Sequence, residues 1–303
     1  MAKVTPTYDV GSETITSTYS PEYNMIYKFA KSMLLAVKSA NPMRIFDKGL
    51  VENGVNIEQA VLKLAESGAT KYDGTADPFA VVNPDIVVRF FKDWTKLQYT
   101  TTVKEQELRK ILLANGSVGA MAQTIVANLT ESYGYEDYIN MRDTLANAKS
   151  NTKITQVGTA ALGLSESDKI LKAIKNTVSS WKFVTNKWNK AGIARTTRPE
   201  DIVILMPYTI KNTIDVDSLA GVFNLDKAEI KDKIIEIDTA AVSNINNIYI
   251  VDKNCIQAYT RLYMLTNMYN PKGLYMNYFL SVERMYAWSD LFNSAYIAVD
   301  ESK

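Results

Sequence analysis

The side chains that do most enzyme chemistry are scarce in this sequence. There is no histidine. Ser-His-Asp and Cys-His catalysis, His-ligated zinc and imidazole proton shuttling are therefore excluded. The lone cysteine, Cys255, allows no intrachain disulfide and no thiolate metal cage. With no histidine to activate it, it reads as a structural thiol, and such sparse usage fits a reducing compartment. Asp215-Val216-Asp217, with Asp226 and Glu229 nearby, could hold Mg²⁺ through carboxylates. The commoner role is for one aspartate to cap a helix over 217–223. Glu136-Asp137 reads as a solvated turn or helix start. Eight of the 18 tyrosines fall in the last 55 residues, interleaved with Arg261, Lys272 and Arg284. Such a mixture can stack on single-stranded nucleic acid, although strand-forming tyrosines in a half-buried sheet are the commoner case. No phosphate loop, dinucleotide turn or nucleophile elbow is present. The expectation is no catalytic residue, no resident metal and no cofactor.

Charge and size narrow the classes further. The chain has 303 residues, with 34 basic against 33 acidic side chains and a net charge of +1. This length suits about two domains with a sizeable core. A near-zero net charge argues against a dedicated nucleic-acid binder. No apolar run is long enough for a transmembrane helix, and Met1 to Val10 lacks the basic-then-apolar order of a signal peptide. No membrane partner is expected.

The elements follow from periodicity. Residues 1–24, rich in Thr, Ser and Tyr, read as an extended arm, and 25–39 as a short helix ended by Asn41-Pro42. Residues 42–84 are punctuated by glycine and proline and carry Arg44, Asp47, Lys48, Glu52, Glu58, Lys63, Glu66, Lys71 and Asp73. So long a stretch with little core of its own is mostly functional or disordered. Within it Ile57, Ala60, Val61 and Leu64 have helical spacing. The apolar run at 86–91 is expected to return the chain to a core, and 103–113 to be helical. From Ser117 to Lys149 runs the longest helical pattern, with a kink or break expected at Ser132–Gly134. Uninterrupted, it would be roughly 50 Å long.

Residues 150–267 alternate strand and helix signals: strands at 154–157, 202–206, 234–237 and 248–251, and helices after a capping box at 165–168 and at 217–223. Helices flanking a central sheet fit this order. Residues 258–299 read as strands. Asn270-Pro271-Lys272-Gly273 is a turn in which proline presets one dihedral and glycine allows a positive φ.

The order of residues resembles the major capsid proteins of small short-tailed bacteriophages of the phi-29 kind. The resemblance rests on Asn41-Pro42 with Phe46 and Lys48-Gly49, then Gly54, Ile57-Glu58 and Tyr72-Asp73. It continues through Tyr135-Glu136-Asp137-Tyr138 with Met141, then Asp215-Val216-Asp217, Leu219-Ala220 and Phe223-Asn224. It ends with Val251-Asp252-Lys253, Asn270-Pro271-Lys272-Gly273-Leu274-Tyr275 and Asn277-Tyr278. It implies an α+β fold of the Hong Kong 97 type. On that fold 1–40 is the N-terminal arm and 41–84 the E-loop lying over a neighbouring subunit. Residues 85–150 are then the peripheral domain with its long spine helix, 151–267 the axial domain with central sheet and flanking helices, and 268–303 the returning peripheral strands. In extended E-loop chain, the helical spacing at 57–64 is a departure.

The resemblance also implies function. The chain would self-assemble into pentamers and hexamers of an icosahedral or prolate head enclosing double-stranded DNA without sequence specificity. Arm and loop cannot bury enough surface alone to offset ordering costs of about 1–2 kcal/mol per residue, so neighbours would order them. The charges from Arg44 to Asp73 would then set register between subunits. Some relatives carry an immunoglobulin-like domain after the last strand, which the sequence to Lys303 lacks. With no N-terminal region long enough for a built-in scaffold, a separate scaffolding protein is expected, with a portal protein at one vertex. Assembly would occur in the host cytoplasm and the product would be the virion shell. Deleting 47–75 is expected to leave a folded subunit that builds no shells. The rival readings are a metal-dependent α/β enzyme using Asp215 and Asp217, and a nucleic-acid-binding virion protein using the C-terminal tyrosines.

Overall fold

The computed structural model describes residues 38, 41–52, 54, 56–64, 79, 81, 83–104, 117–161, 167–211, 234–238 and 247–300. The first strands are β1 (Asp47–Leu50), β2 (Ile57–Leu62), β3 (Ile86–Phe91) and β4 (Trp94–Val103). Helix α1 (Ser117–Ser150), β5 (Thr155–Ala161), α2 (Ser167–Ser180), β6 (Ile202–Pro207) and the single turn α3 (Tyr208–Lys211) follow. The chain closes with β7 (Ile234–Ile237), β8 (Asn247–Asp252), β9 (Ile256–Asn270), β10 (Tyr275–Trp288) and β11 (Ser294–Asp300). The chain divides into two units: residues 1–39, 98–133 and 264–281, and residues 40–97, 134–263 and 282–303. The expected boundary at 150/151 lies inside the second unit.

The second unit is built on a five-stranded sheet in the order β5-β11-β8-β6-β7. Strand β6 is apolar throughout and every residue in it is buried, as a strand covered on both faces requires. Alternation sorts its side chains between two cores. Val203 and Leu205 join Tyr249, Val251 and α1 residues Tyr138, Met141 and Leu145. Ile202, Ile204 and Met206 join Ile248, Ile250 and the α2 stripe Ile170, Ile174 and Val178, with Trp181 just beyond it. Burying each such side chain stabilises by about 1.5–3 kcal/mol. The four strands read from sequence here, and the apolar face of α2, agree with this sheet.

A second sheet has the order β1-β9-β10-β4, and β2 pairs with β3 alone. Four expectations differ. Residues 57–62 are strand, not helix: Ile57, Gln59 and Val61 turn half inward while Glu58, Ala60 and Leu62 face out, and pairing with β3 supplies the backbone partners. The 86–91 run does not enter a core, since no residue of β3 is buried. Val103 ends a strand and starts no helix, and the remaining residues to 113 lie mostly outside the described ones. Helix α1 runs through 132–134 unbroken. Gly134 costs only about 1 kcal/mol against alanine, with no proline nearby, and Ser132 Oγ donates to the Asn128 carbonyl within the turn (2.8 Å). The unit boundary nevertheless falls at Tyr133/Gly134.

In the first unit Tyr99 meets Tyr133 edge-on with centroids 6.4 Å apart, and Thr102 Oγ1 donates to Asn277 Oδ1 (2.7 Å). The turn after β9 forms as read but for a different reason. The positive φ, 52°, belongs to Leu274, not Gly273. Gly273 is needed because a Cβ there would run into the Tyr275 ring. Asn270 organises the turn: its Oδ1 accepts from the backbone of Lys272 and Gly273, and its Nδ2 donates to the Tyr275 hydroxyl.

Candidate functional site

The β2–β3 ribbon exposes apolar surface that the described residues leave uncovered. Its register is fixed from Ile57 opposite Phe91 to Leu62 opposite Ile86. Beyond the last pair, Lys63 N donates to Asp85 O (2.9 Å) and the two side chains form an ion pair (2.6 Å). Leu62, Leu64 and Phe90 are each more than 60% exposed, and Ile86 more than half. A two-stranded hairpin is marginal in water, so this one needs an anchor. One cross-strand pair, Gln59 and Arg89, provides it. Arg89 grips Asp290 through both carboxylate oxygens (2.8 and 3.0 Å), and Ser289 Oγ donates to Gln59 Oε1 (2.7 Å). The planar fork makes this a directional clamp.

The chain leading into the ribbon is packed in a core. Asn41 caps a 3₁₀ turn, Pro42–Phe46, by accepting from Met43 N, and Met43 and Phe46 are fully buried. Strand β1 then pairs parallel to β9. A buried charge cluster joins these pieces. The Arg284 guanidinium, 1% exposed, lies 2.5 Å from Asp137 and 3.2 Å from Asp47, and it donates to Thr260 Oγ1. Asp137 also accepts from the Tyr286 hydroxyl (2.7 Å) and from Asn41 Nδ2 (2.6 Å). Burial pushes the Asp137 carboxyl above its ordinary range, Arg284, Tyr286 and Asn41 pull it back, and Asp47 opposes them.

The expected contact charges divide accordingly. Asp47 is turned inward to Arg284, and Lys48 Nζ donates to Lys253 O (3.1 Å) and Asn254 Oδ1 (2.9 Å). Arg44, Glu52 and Glu58 are exposed, and Lys63 is paired with Asp85. Glu66, Lys71 and Asp73 lie outside the described residues, as do Asp215 and Asp217. Among the described residues no group of three or more Asp, Glu, His or Cys could hold a metal. Glu136-Asp137 is neither a turn nor a helix start: it lies inside α1, and Asp137 is buried. Of the cations interleaved with the tyrosines, Arg261 stacks on Trp94 (3.9 Å to the ring centroid) and pairs with Glu283, and Arg284 is buried. Only Lys272 of the three is exposed.

Cys255 is fully buried, its Sγ donating to Asn293 O (3.4 Å), and burial pushes the thiol well above its ordinary value. A disulfide reagent such as DTNB is expected to leave the folded protein unlabelled and to titrate one thiol per chain in urea. Rapid labelling without denaturant would contradict this burial.

A family model described as Phi29-like phage major capsid protein matches residues 12–298. The chain belongs to that family. It is 25% identical over 262 residues to the major capsid protein of Bacillus phage GA-1, covering 84% of this chain and 55% of that protein. The chain spans a little over half the length of the curated relatives it matches. Its fold is similar to a chain in the capsid structure of Staphylococcus phage Andhra, with a TM-score of 0.74 at 13% identity over 97% of this chain and 95% of that one. The capsid of Cyanophage P-SCSP1u gives 0.59 at 10% identity, over 94% and 96%. The α+β, Hong Kong 97 type fold expected for the family is thereby shown, and nothing supports the metal-enzyme alternative.

Proposed function

We propose that the chain is the shell subunit of a phage head. It self-assembles into pentamers and hexamers of an icosahedral or prolate shell that encloses double-stranded DNA. The observation that carries this reading is the ribbon of β2 and β3, clamped at one cross-strand pair and apolar on surface that the described residues do not cover. In this reading residues 41–84, continued by β3, are the E-loop, α1 is the spine helix, and the five-stranded sheet with α2 is the axial domain, which takes in β11 besides strands of 151–267. Arg44, Glu52 and Glu58 are the charges left facing outward to set register against a neighbour. Weak contacts repeated by symmetry hold the closed shell. A separate scaffolding protein and a portal protein at one vertex complete the assembly, which proceeds in the host cytoplasm and ends in the virion. The reading includes no catalysis.

The test is negative-stain microscopy of the purified full chain across a concentration series. Closed shells or capsomer rings are the expected result. A monodisperse monomer at every concentration overturns the proposal.

A further inference from the structure

Charge is distributed unevenly along this nearly neutral chain. Between Lys169 and Arg198 there are eight basic residues and no acidic one. Taking these eight from the chain's 34 leaves 26 basic against 33 acidic residues elsewhere. A neutral total therefore conceals one strongly basic segment.

The fold gathers that segment onto one side of the second unit. Helix α2 buries Ile170, Ile174 and Val178 against the sheet and exposes Lys169, Lys172 and Lys175. The chain then turns back on the C-terminal end of α2. Thr197 N donates to Trp181 O (2.9 Å), and Thr185 pairs antiparallel with Arg195, which brings Arg198 beside Lys182. The tip of this hairpin is held from within. Buried Asn189 donates to Ile193 O and accepts from Ile193 N, both at 2.7 Å, and Trp188 is seated in the core beneath α2. Lys182, Lys187 and Lys190 are thus displayed outward on a fixed loop, with Phe183 exposed among them. Arg195 is committed inward to the Leu291 carbonyl and the Phe292 ring, and Arg198 has Glu200 at 3.4 Å. The half of α1 covering the opposite face of the same sheet carries Glu136, Asp137 and Asp143 against Arg142 and Lys149. Of these two described faces, the positive one is that of α2 and its hairpin.

We propose that this α2 face is a sequence-independent contact surface for the sugar-phosphate backbone of double-stranded DNA. This rests on the shell reading above, which supplies the DNA, and it goes beyond that reading in saying which side of the subunit meets it. Six of the seven exposed cations are lysines, point charges that neutralise phosphate without the bidentate geometry of base readout. They are spread over a helix and a hairpin, which suits a uniformly charged rod. Binding is weak for one copy and accumulates over many.

The test uses the full chain and a labelled random-sequence duplex of about 30 bp, titrated between about 50 and 200 mM salt. The quadruple variant Lys172→Gln, Lys175→Gln, Lys182→Gln, Lys187→Gln is compared with a control that removes the same charge elsewhere: Lys92→Gln, Lys96→Gln, Lys153→Gln, Lys272→Gln. The slope of log affinity against log salt is expected to shrink by about 0.9 for each phosphate that a lysine no longer neutralises, or about 3–4 in the quadruple variant and less than about 1 in the control. Thermal melting confirms that both variants are folded. Equal weakening of the two variants, or no duplex binding by the unmodified chain, overturns the proposal. So does a quadruple variant that loses binding to polyglutamate while keeping its duplex affinity, since the surface would then serve an acidic protein. Microscopy of the same samples separates the two readings. Shells with no difference in DNA binding sink this inference alone, whereas absence of shells sinks the assembly reading.

Discussion

Replacing Arg284 with alanine is expected to destabilise the subunit by about 3–5 kcal/mol, because Asp137 and Asp47 are left without their shared counter-charge in a buried site. The loss is read as a shift of the urea midpoint at constant slope. Arg284→Lys keeps the charge but not the fork that reaches two carboxylates and Thr260 together, so its cost is intermediate. Arg284→Met combined with Asp137→Asn recovers part of the loss, since one stranded charge is gone. The pH dependence has a definite sign. Burial already raises the Asp137 carboxyl above its unfolded value. The native state therefore binds this proton more readily than the unfolded state, and the group's contribution falls as pH rises through the native value. Without Arg284 the carboxyl rises further, so the alanine variant's deficit is widest at neutral pH and narrows on acidification. A deficit below about 1 kcal/mol at neutral pH would show that the cluster is not a structural centre.

Removing the outer part of the E-loop is expected to abolish shells while leaving the subunit folded. The cut has to respect β1 and the ribbon. Deleting 47–75 would take Asp47 away from Arg284 and remove β1 and all of β2, so it would test folding as much as assembly. Replacing residues 64–84 with Asn-Gly keeps every pair of the ribbon and joins Lys63 to Asp85, whose backbones already meet at 2.9 Å. A two-residue Asn-Gly turn closes such antiparallel strands. Thermal stability should stay within about 0.5 kcal/mol of the parent. Shell yield by microscopy should fall about 10²-fold or more, because each subunit gives up an interaction repeated over the whole assembly. Shells at parental yield would remove the loop from the assembly mechanism.

Burial explains which parts of the fold are legible in the sequence. The strands at 202–207, 234–237 and 247–252 and the apolar face of α2 are set by their own side chains, which have one way to be covered. Residues 57–62 have no such constraint. Their helical spacing competes with pairing to β3, twenty-four residues and more downstream, and the pairing prevails. The 86–91 run misleads for a related reason: apolar composition marks surface that needs covering, and the described residues do not bury any part of this run. The charge cluster is the larger gap. A signal for it exists, because Asp137, Met141 and Leu145 stand at helical spacing on the buried stripe of α1. Its partners Asp47 and Arg284 are distant in sequence, so only the fold brings them together. The turn at Gly273 is legible but its cause is not, since a ring contact with Tyr275 is invisible to dihedral rules.

The position of β11 has a consequence for synthesis on the ribosome. This strand, almost the last described segment, lies between β5 and β8, parallel to one and antiparallel to the other. Until residue 300 has cleared the exit tunnel, β5 has no neighbour in that sheet and β8 has an open edge. A nascent chain thus cannot complete the platform that carries α2 before β11 has emerged. Copies that have not yet exposed residues 294–300 would carry half-made sheets, so the surface displayed by α2 is withheld until that strand is in place.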